Sequence, residues 1–180
     1  DNFGNANIIY KLSEKKVQKK LASLEKIPII PGFIGKTKKG DITTLGRGGT
    51  DTTACFIGSA LRANKVILWK DVDGVMSANP KIVKDAKTVP FVSYQEAEEA
   101  GKIIHSKAIQ YLKIHNTPIE ITSIVDPKQK TIIKKESKSK KHGAKIVNSK
   151  GDLMLFIITD ETKKENNMLS IASQAFFKYK

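Results

Sequence analysis

The chain has 180 residues, of which 39% are hydrophobic and 28% charged, and it carries a formal net charge of +14. This composition belongs to a globular chain with enough apolar residues to bury a core, either one ordinary domain or a domain with part of a second, and it excludes disordered and collagen-like classes. No apolar run approaches the roughly 18 residues of a membrane span and the first residues lack a basic-then-apolar leader pattern, so no membrane partner is expected and the expected location is the cytoplasm.

Residues Ser13 to Leu24 place Val17, Leu21 and Leu24 on one helical face, which predicts an amphipathic surface helix with Ser13 as its N-cap. Ile27 to Gly35 is a β-branched apolar run broken by Pro28, Pro31 and Gly32, expected to form a buried strand emerging into a loop, with residues 36–41 as a turn. A glycine-rich segment, Thr44 to Thr50, then opens a helix over about Thr52 to Ala63, for which Asp51 is a candidate N-cap. The single cysteine, Cys55, lies in the apolar stretch Ala54–Ile57 of that helix and reads as an inert buried thiol in a reducing compartment. Val66 to Trp69 is a second buried-strand candidate ending at the turn signal Asp73-Gly74, and strand, helix and strand suggest a parallel crossover.

Ser93 to Lys113 is helical by composition, opened by a capping box of Ser93 and Glu96. Ile119 to Ile124 alternates as a further strand, and Thr131 to Ile133 is a short apolar segment. The lysine- and serine-rich stretch ending at Gly143 reads as an interdomain linker. Its densest run, Lys134 to Lys141, contains no aromatic residue, the positive excess is diffuse and almost wholly lysine, and Arg47 and Arg62 are the only arginines. Base reading favours the arginine fork and aromatic stacking, so no nucleic-acid partner is expected. Beyond the linker, Leu153 to Thr159 is a strong strand and a helix is expected from about Met168; such a piece should need partner strands from further chain or another subunit.

The segment Thr43 to Asp51 carries the most chemistry. Three glycines around Arg47 allow close backbone approach to a ligand, and the following helix aims its N–H groups and positive dipole end at an anion. Arg47 adds a planar fork suited to carboxylate or phosphate, and Thr50 a hydroxyl. A tight turn capped by Asp51 would use the same residues. His105, His115 and His142 share no metal-ligand spacing, so no metal site is expected.

Asp1 to Ala6, Gly32-Phe33-Ile34-Gly35, Thr43 to Asp51, Trp69 to Gly74 and Gly101 to His105 stand in the order and near the spacing found in aspartokinases. Over residues 1 to about 133 the chain resembles that branch of the amino-acid kinase family. The resemblance implies a three-layer α/β/α fold with a mainly parallel sheet, present in part and followed by an incomplete α+β ACT-like segment. Residues 1–133 would be the C-terminal half of a kinase domain, 134–143 a linker, and 144–180 the start of an ACT-like regulatory domain.

The implied activity is transfer of the γ-phosphoryl group of ATP, accompanied by Mg²⁺, to the side-chain carboxylate of L-aspartate. The product would be 4-phospho-L-aspartate, on the way to lysine, threonine and methionine. A homo-oligomer with an amino-acid effector at the ACT-like segment is also implied. Residue by residue, Arg47, Gly48, Gly49 and Thr50 match the family's aspartate-binding positions, and Lys70, Asp71, Met76, Lys81, Lys102 and Ile103 match its nucleotide-binding positions. The family's catalytic lysine would lie upstream of Asp1, so no catalytic residue is assigned and this chain alone is not expected to catalyse transfer. A non-catalytic amino-acid or nucleotide-binding regulatory remnant is the alternative.

The chain departs from the family pattern at five places. Met76 and Lys81 stand where the family commonly has Tyr and Arg, Asn79-Pro80 replaces Asp-Pro, His105-Ser106 replaces His-Pro, and the stretch between Glu99 and Gly101 is shorter by about one helical turn.

Overall fold

In strands whose side chains alternate across a sheet, one row of apolar residues can join every strand to one core. Four strands do so here: β3 (Val66–Lys70), β4 (Phe91–Ser93), β5 (Ile119–Ser123) and β6 (Lys130–Lys134). Their preceding neighbours are a short hairpin, β1 (Ile34–Lys36) and β2 (Ile42–Thr44), and a further hairpin follows, β7 (Val147–Lys150) and β8 (Leu153–Phe156). The computed structural model describes residues 2–100, 103–136, 145–150, 153–156 and 174. The described chain forms two units, Asp1–Val75 with Thr88–Lys138, and Met76–Lys87 with Ser139–Lys180.

In the first unit the sheet order is β3-β5-β6-β4, with β3 and β5 parallel, β5 and β6 antiparallel, and β6 and β4 parallel. The register aligns Val66 with Ile119, Ile119 with Ile133, and Ile133 with Val92, so a single apolar row crosses all four strands. Ile119, Ile121, Ile133 and Val92 are fully buried. The outer strand β3 is buried on one face only, since Val66 and Leu68 point inward while Ile67 and Trp69 are exposed. The architecture is mixed α/β with a mainly parallel sheet.

Among the described residues four helices accompany the strands: α1 (Tyr10–Leu21), α2 (Gly49–Ala60), α3 (Tyr94–Ala100) and α4 (Ser106–His115). Helix α2 packs on α4 and β3, and Gly58 has no Cβ where Val66 presses against it. Helix α1 is held by rings. Tyr10 meets Phe56 edge-on at 5.6 Å and stacks on Tyr111 at 6.1 Å, while Glu14 lies 3.1 Å from His115. This anchorage explains why α1 starts at Tyr10 and not at Ser13. Ile9 occupies the N-cap without a side-chain cap bond, and Ser13 is already inside the helix.

Several expectations are corrected. Ile27 and Ile29 are 94% and 97% exposed and form no strand; Pro28 and Pro31 remove two backbone donors from a short run, which disfavours a central strand. The parallel partner of β3 is therefore β5, reached through α3 and α4, and the residues around the 36–41 turn pair instead as the antiparallel hairpin β1–β2. The expected single helix from Ser93 to Lys113 is two. The capping box is present, with Ser93 N–H donating to Glu96 Oε2 at 2.6 Å and Glu96 N–H to Ser93 Oγ at 3.1 Å. A second start follows at His105, whose extended backbone and Nδ1 acceptor for the Lys107 N–H cap α4.

In the second unit β7 and β8 pair antiparallel, giving Leu153–Phe156 a partner within the chain. Ser77 ties the loop 76–87 to this hairpin by accepting the Val147 N–H at 2.8 Å. The expected linker beyond residue 136 and the helix expected from Met168 lie outside the described residues. No helix among the described residues is long and apolar enough to cross a membrane.

Cys55 is fully buried, and desolvation pushes its thiol from 9.0 up to about 12. A raised folded-state value means the folded chain keeps a proton that the unfolded chain releases, so this contribution is intact below about pH 9 and is lost as pH rises toward 12. A disulfide reagent should therefore label Cys55 only when the chain unfolds. The urea midpoint should fall above pH 9, and by less in Cys55→Ala; rapid labelling of the folded chain at pH 8 would contradict the burial.

Candidate functional site

The glycine-rich segment predicted to open a helix does so at a cleft of about 480 Å³, lined by Phe33, Gly46, Arg47, Gly48, Gly49, Thr50, Asp51 and Lys70. Gly46 and Gly48 have φ of 77° and 69°, left-handed conformations that side chains resist. At Gly48 a Cβ would also stand 2.8 Å from the Cβ of His105, and at Gly49 one would meet the Phe33 ring at 2.7 Å. Glycine is thus required both for the turn and for the approach of its neighbours.

The carbonyls of the loop's three glycines are engaged within the fold. Gly46 O accepts the Gly49 N–H at 2.9 Å, and Gly48 O accepts both the N–H and the hydroxyl of Thr52. Thr53 Oγ1 donates to Gly49 O and accepts the Phe33 N–H. Among the described residues the N–H groups of Thr50 and Asp51 have no acceptor, as expected for a first helical turn. Arg47 is exposed and makes no hydrogen bond or ion pair to the described residues. A free guanidinium, free first-turn donors and the positive end of α2 make a cleft suited to a carboxylate or phosphate.

Asp51 is not the N-cap. That position belongs to Gly48, which has no side chain to cap with. The Asp51 carboxylate instead pairs with the ammonium of Lys70 at 2.7 Å, the two side chains being 17% and 25% exposed. The tight-turn use of these residues is thereby excluded in the form that needed Asp51 as cap.

Of the residues singled out in the sequence, Arg47, Gly48, Gly49 and Thr50 come together, and Lys70 joins them from the end of β3. Asp71 is the next residue, exposed and outside the lining, and Ile103 is half-buried outside it. Met76 and Lys81 belong to the second unit. Lys102 lies outside the described residues.

Two residues that sequence reasoning missed help to shape the cleft. Phe33 has φ of 74°, a strained value for a bulky residue, held by the Thr53 hydroxyl on its N–H and the Leu45 N–H on its carbonyl. The only signal was its place between Gly32 and Gly35. Lys107 donates to the carbonyls of Ala6 and Leu45 and reaches Asn5 Oδ1 at 3.4 Å, tying the N-terminal segment to the base of the loop. Desolvation lowers its pKa. Nothing in its sequence context distinguishes it from a surface lysine.

The pattern of the Amino acid kinase family matches residues 1–123. The chain belongs to the amino acid kinase family. Aspartokinases are among its relatives: it is 38% identical over 138 residues to the aspartokinase of Bacillus sp. (strain MGA3), covering 74% of this chain and 33% of that one. It is 34% identical over 183 residues to Arabidopsis thaliana aspartokinase 1, chloroplastic, covering 96% of this chain and 30% of the relative.

Among solved structures, E. coli aspartokinase III in complex with aspartate and ADP gives a TM-score of 0.72 at 29% identity, covering 82% of this chain and 34% of that one. Clostridium acetobutylicum aspartate kinase gives 0.68 at 32%, covering 77% and 32%. The chain thus spans about a third of the length of the relatives it matches.

Replacing Lys107 by Met leaves two part-buried carbonyls without their donor, so Lys107→Met should lower unfolding stability by about 1–2 kcal/mol in urea titration. An unchanged midpoint would remove Lys107 from the support of the loop.

Proposed function

We propose that this protein acts as an aspartate kinase, transferring the γ-phosphoryl group of ATP to the side-chain carboxylate of L-aspartate to give 4-phospho-L-aspartate in the route to lysine, threonine and methionine. The observation that carries the reading is Arg47, unpaired among the described residues, in a glycine cleft at the start of α2, in a chain similar to aspartokinases. Phosphoryl transfer depends on alignment and charge neutralisation more than on covalent help. An arginine fork fixes a carboxylate in two directions, and the Thr50 hydroxyl and first-turn N–H groups supply further donors to the same anion.

On this reading Arg47, Gly48, Gly49 and Thr50 hold aspartate. Lys70, Asp71, Met76, Lys81, Lys102 and Ile103 serve the nucleotide, an assignment supported by the family resemblance. Mg²⁺ would arrive with ATP, held chiefly by its phosphates. The domain reading is likewise a proposal: a kinase half over 1–133, a linker over 134–143, and an ACT-like segment over 144–180 that would take part in homo-oligomer formation and bind an amino-acid effector in the cytoplasm.

Aspartyl-hydroxamate formation with ATP and Mg²⁺ by the full-length protein tests the activity, and binding of aspartate and ADP without turnover would instead identify a regulatory remnant. Arg47→Ala should weaken L-aspartate about ten- to a hundred-fold while leaving ADP affinity nearly unchanged. Arg47→Lys should not restore binding, because one ammonium cannot reproduce the fork. Equal losses for both ligands would remove Arg47 from the aspartate side.

A further inference from the structure

Lys70 and Asp51 reach the cleft from opposite ends of a helix and a strand, the first turn of α2 and the last residue of β3. Their 2.7 Å contact is the only side-chain partnership that either makes among the described residues. The cleft therefore contains one uncommitted cation, Arg47, and one that already has a carboxylate partner. With a quarter or less of each side chain exposed, the pair is partly shielded from water, so its attraction is less screened than that of a fully exposed pair.

We propose that Lys70 is shared between Asp51 and the nucleotide: its ammonium sits on Asp51 in the empty protein and must leave it to meet a phosphate, so that Asp51 competes with the nucleotide for one cation. The inference rests on the reading of Lys70 as a nucleotide-side residue and adds a coupling that this reading lacks. A triphosphate or diphosphate carries more charge than one carboxylate and wins the competition, but its net affinity is reduced by the cost of breaking the pair. Because binding linkage is reciprocal, occupation of Lys70 by nucleotide also changes the charge beside Arg47. The lysine is thus a positioning group for Asp51 in one state and a ligand contact in the other.

The test is a double-mutant cycle read by calorimetric titration of Mg·ADP into the full chain, with no turnover required. Asp51→Asn keeps the shape of the side chain but releases Lys70, and should tighten ADP about three- to five-fold, the range for a part-exposed ion pair. In the Lys70→Met background the same Asp51→Asn change should have no effect on ADP.

An equal gain in both backgrounds would mean that only a general negative charge had been removed, and would overturn the sharing. So would no gain from Asp51→Asn in the native background, or ADP binding unaltered by Lys70→Met. Lys70→Gln, which keeps a donor without the charge, replaces Lys70→Met if the latter melts below the assay temperature. Failure of the native chain to bind ADP at all removes the nucleotide reading itself and the sharing with it, whereas ADP binding without the predicted non-additivity leaves that reading standing and removes the sharing alone.

Discussion

The contact between Gly48 and His105 is the constraint on which the site depends. Gly48 begins α2 in a left-handed conformation, and the backbone there passes so near the residue that caps α4 that a Cβ would have no room. Two helix starts therefore converge on one point, and the packing of α2 on α4 transmits that convergence into the core. The glycine loop is fixed by the fold around it: Phe33 lies on one side, His105 on the other, and the Lys107 ammonium lies at the loop's base. Movement of α4 relative to α2 would change the shape of the cleft directly.

The same geometry concentrates charge. A net charge of +14 spread over many lysines selects no ligand by itself. Among the described residues the balance in the cleft is specific: one guanidinium without a partner, one ammonium and one carboxylate, the last two joined. A single net positive charge with fork geometry suits a small carboxylate or phosphate better than a polyanion, which would be drawn to the diffuse lysine surface instead.

Much of this was legible in the sequence where the signal is local. The capping box at Ser93 and Glu96, the strands beginning at Val66 and Ile119, and the glycine loop opening a helix all depend on residues within a few positions of one another. The errors arise where a chain breaker, a new helix start or a distant partner overrides composition. Ile27 to Ile30 has the letters of a buried strand, but two prolines withhold the donors a ladder needs. Asp51 has the letters of an N-cap, yet Lys70, nineteen positions away, takes its carboxylate. His105 interrupts a stretch of good helical composition because its side chain caps a new start. Periodicity reports none of these, and it could not distinguish Lys70 and Lys107 from the other lysines of the chain.

The polarity of the loop explains why the cleft suits an anion. The carbonyls of Leu45, Gly46, Gly48 and Gly49 already receive hydrogen bonds from Lys107, Gly49, Thr52 and Thr53. Those acceptors are satisfied within the fold, while the N–H groups of Thr50 and Asp51 are not. A cation entering the cleft would meet glycine carbonyls already engaged, a carboxylate already paired, and the positive end of α2. An anion would meet the Arg47 guanidinium and the first-turn N–H groups, with the Asp51 carboxylate held by Lys70. The threonines at positions 52 and 53 thus act on the site without lining the cleft, by turning the backbone's acceptors inward and leaving its donors for the ligand.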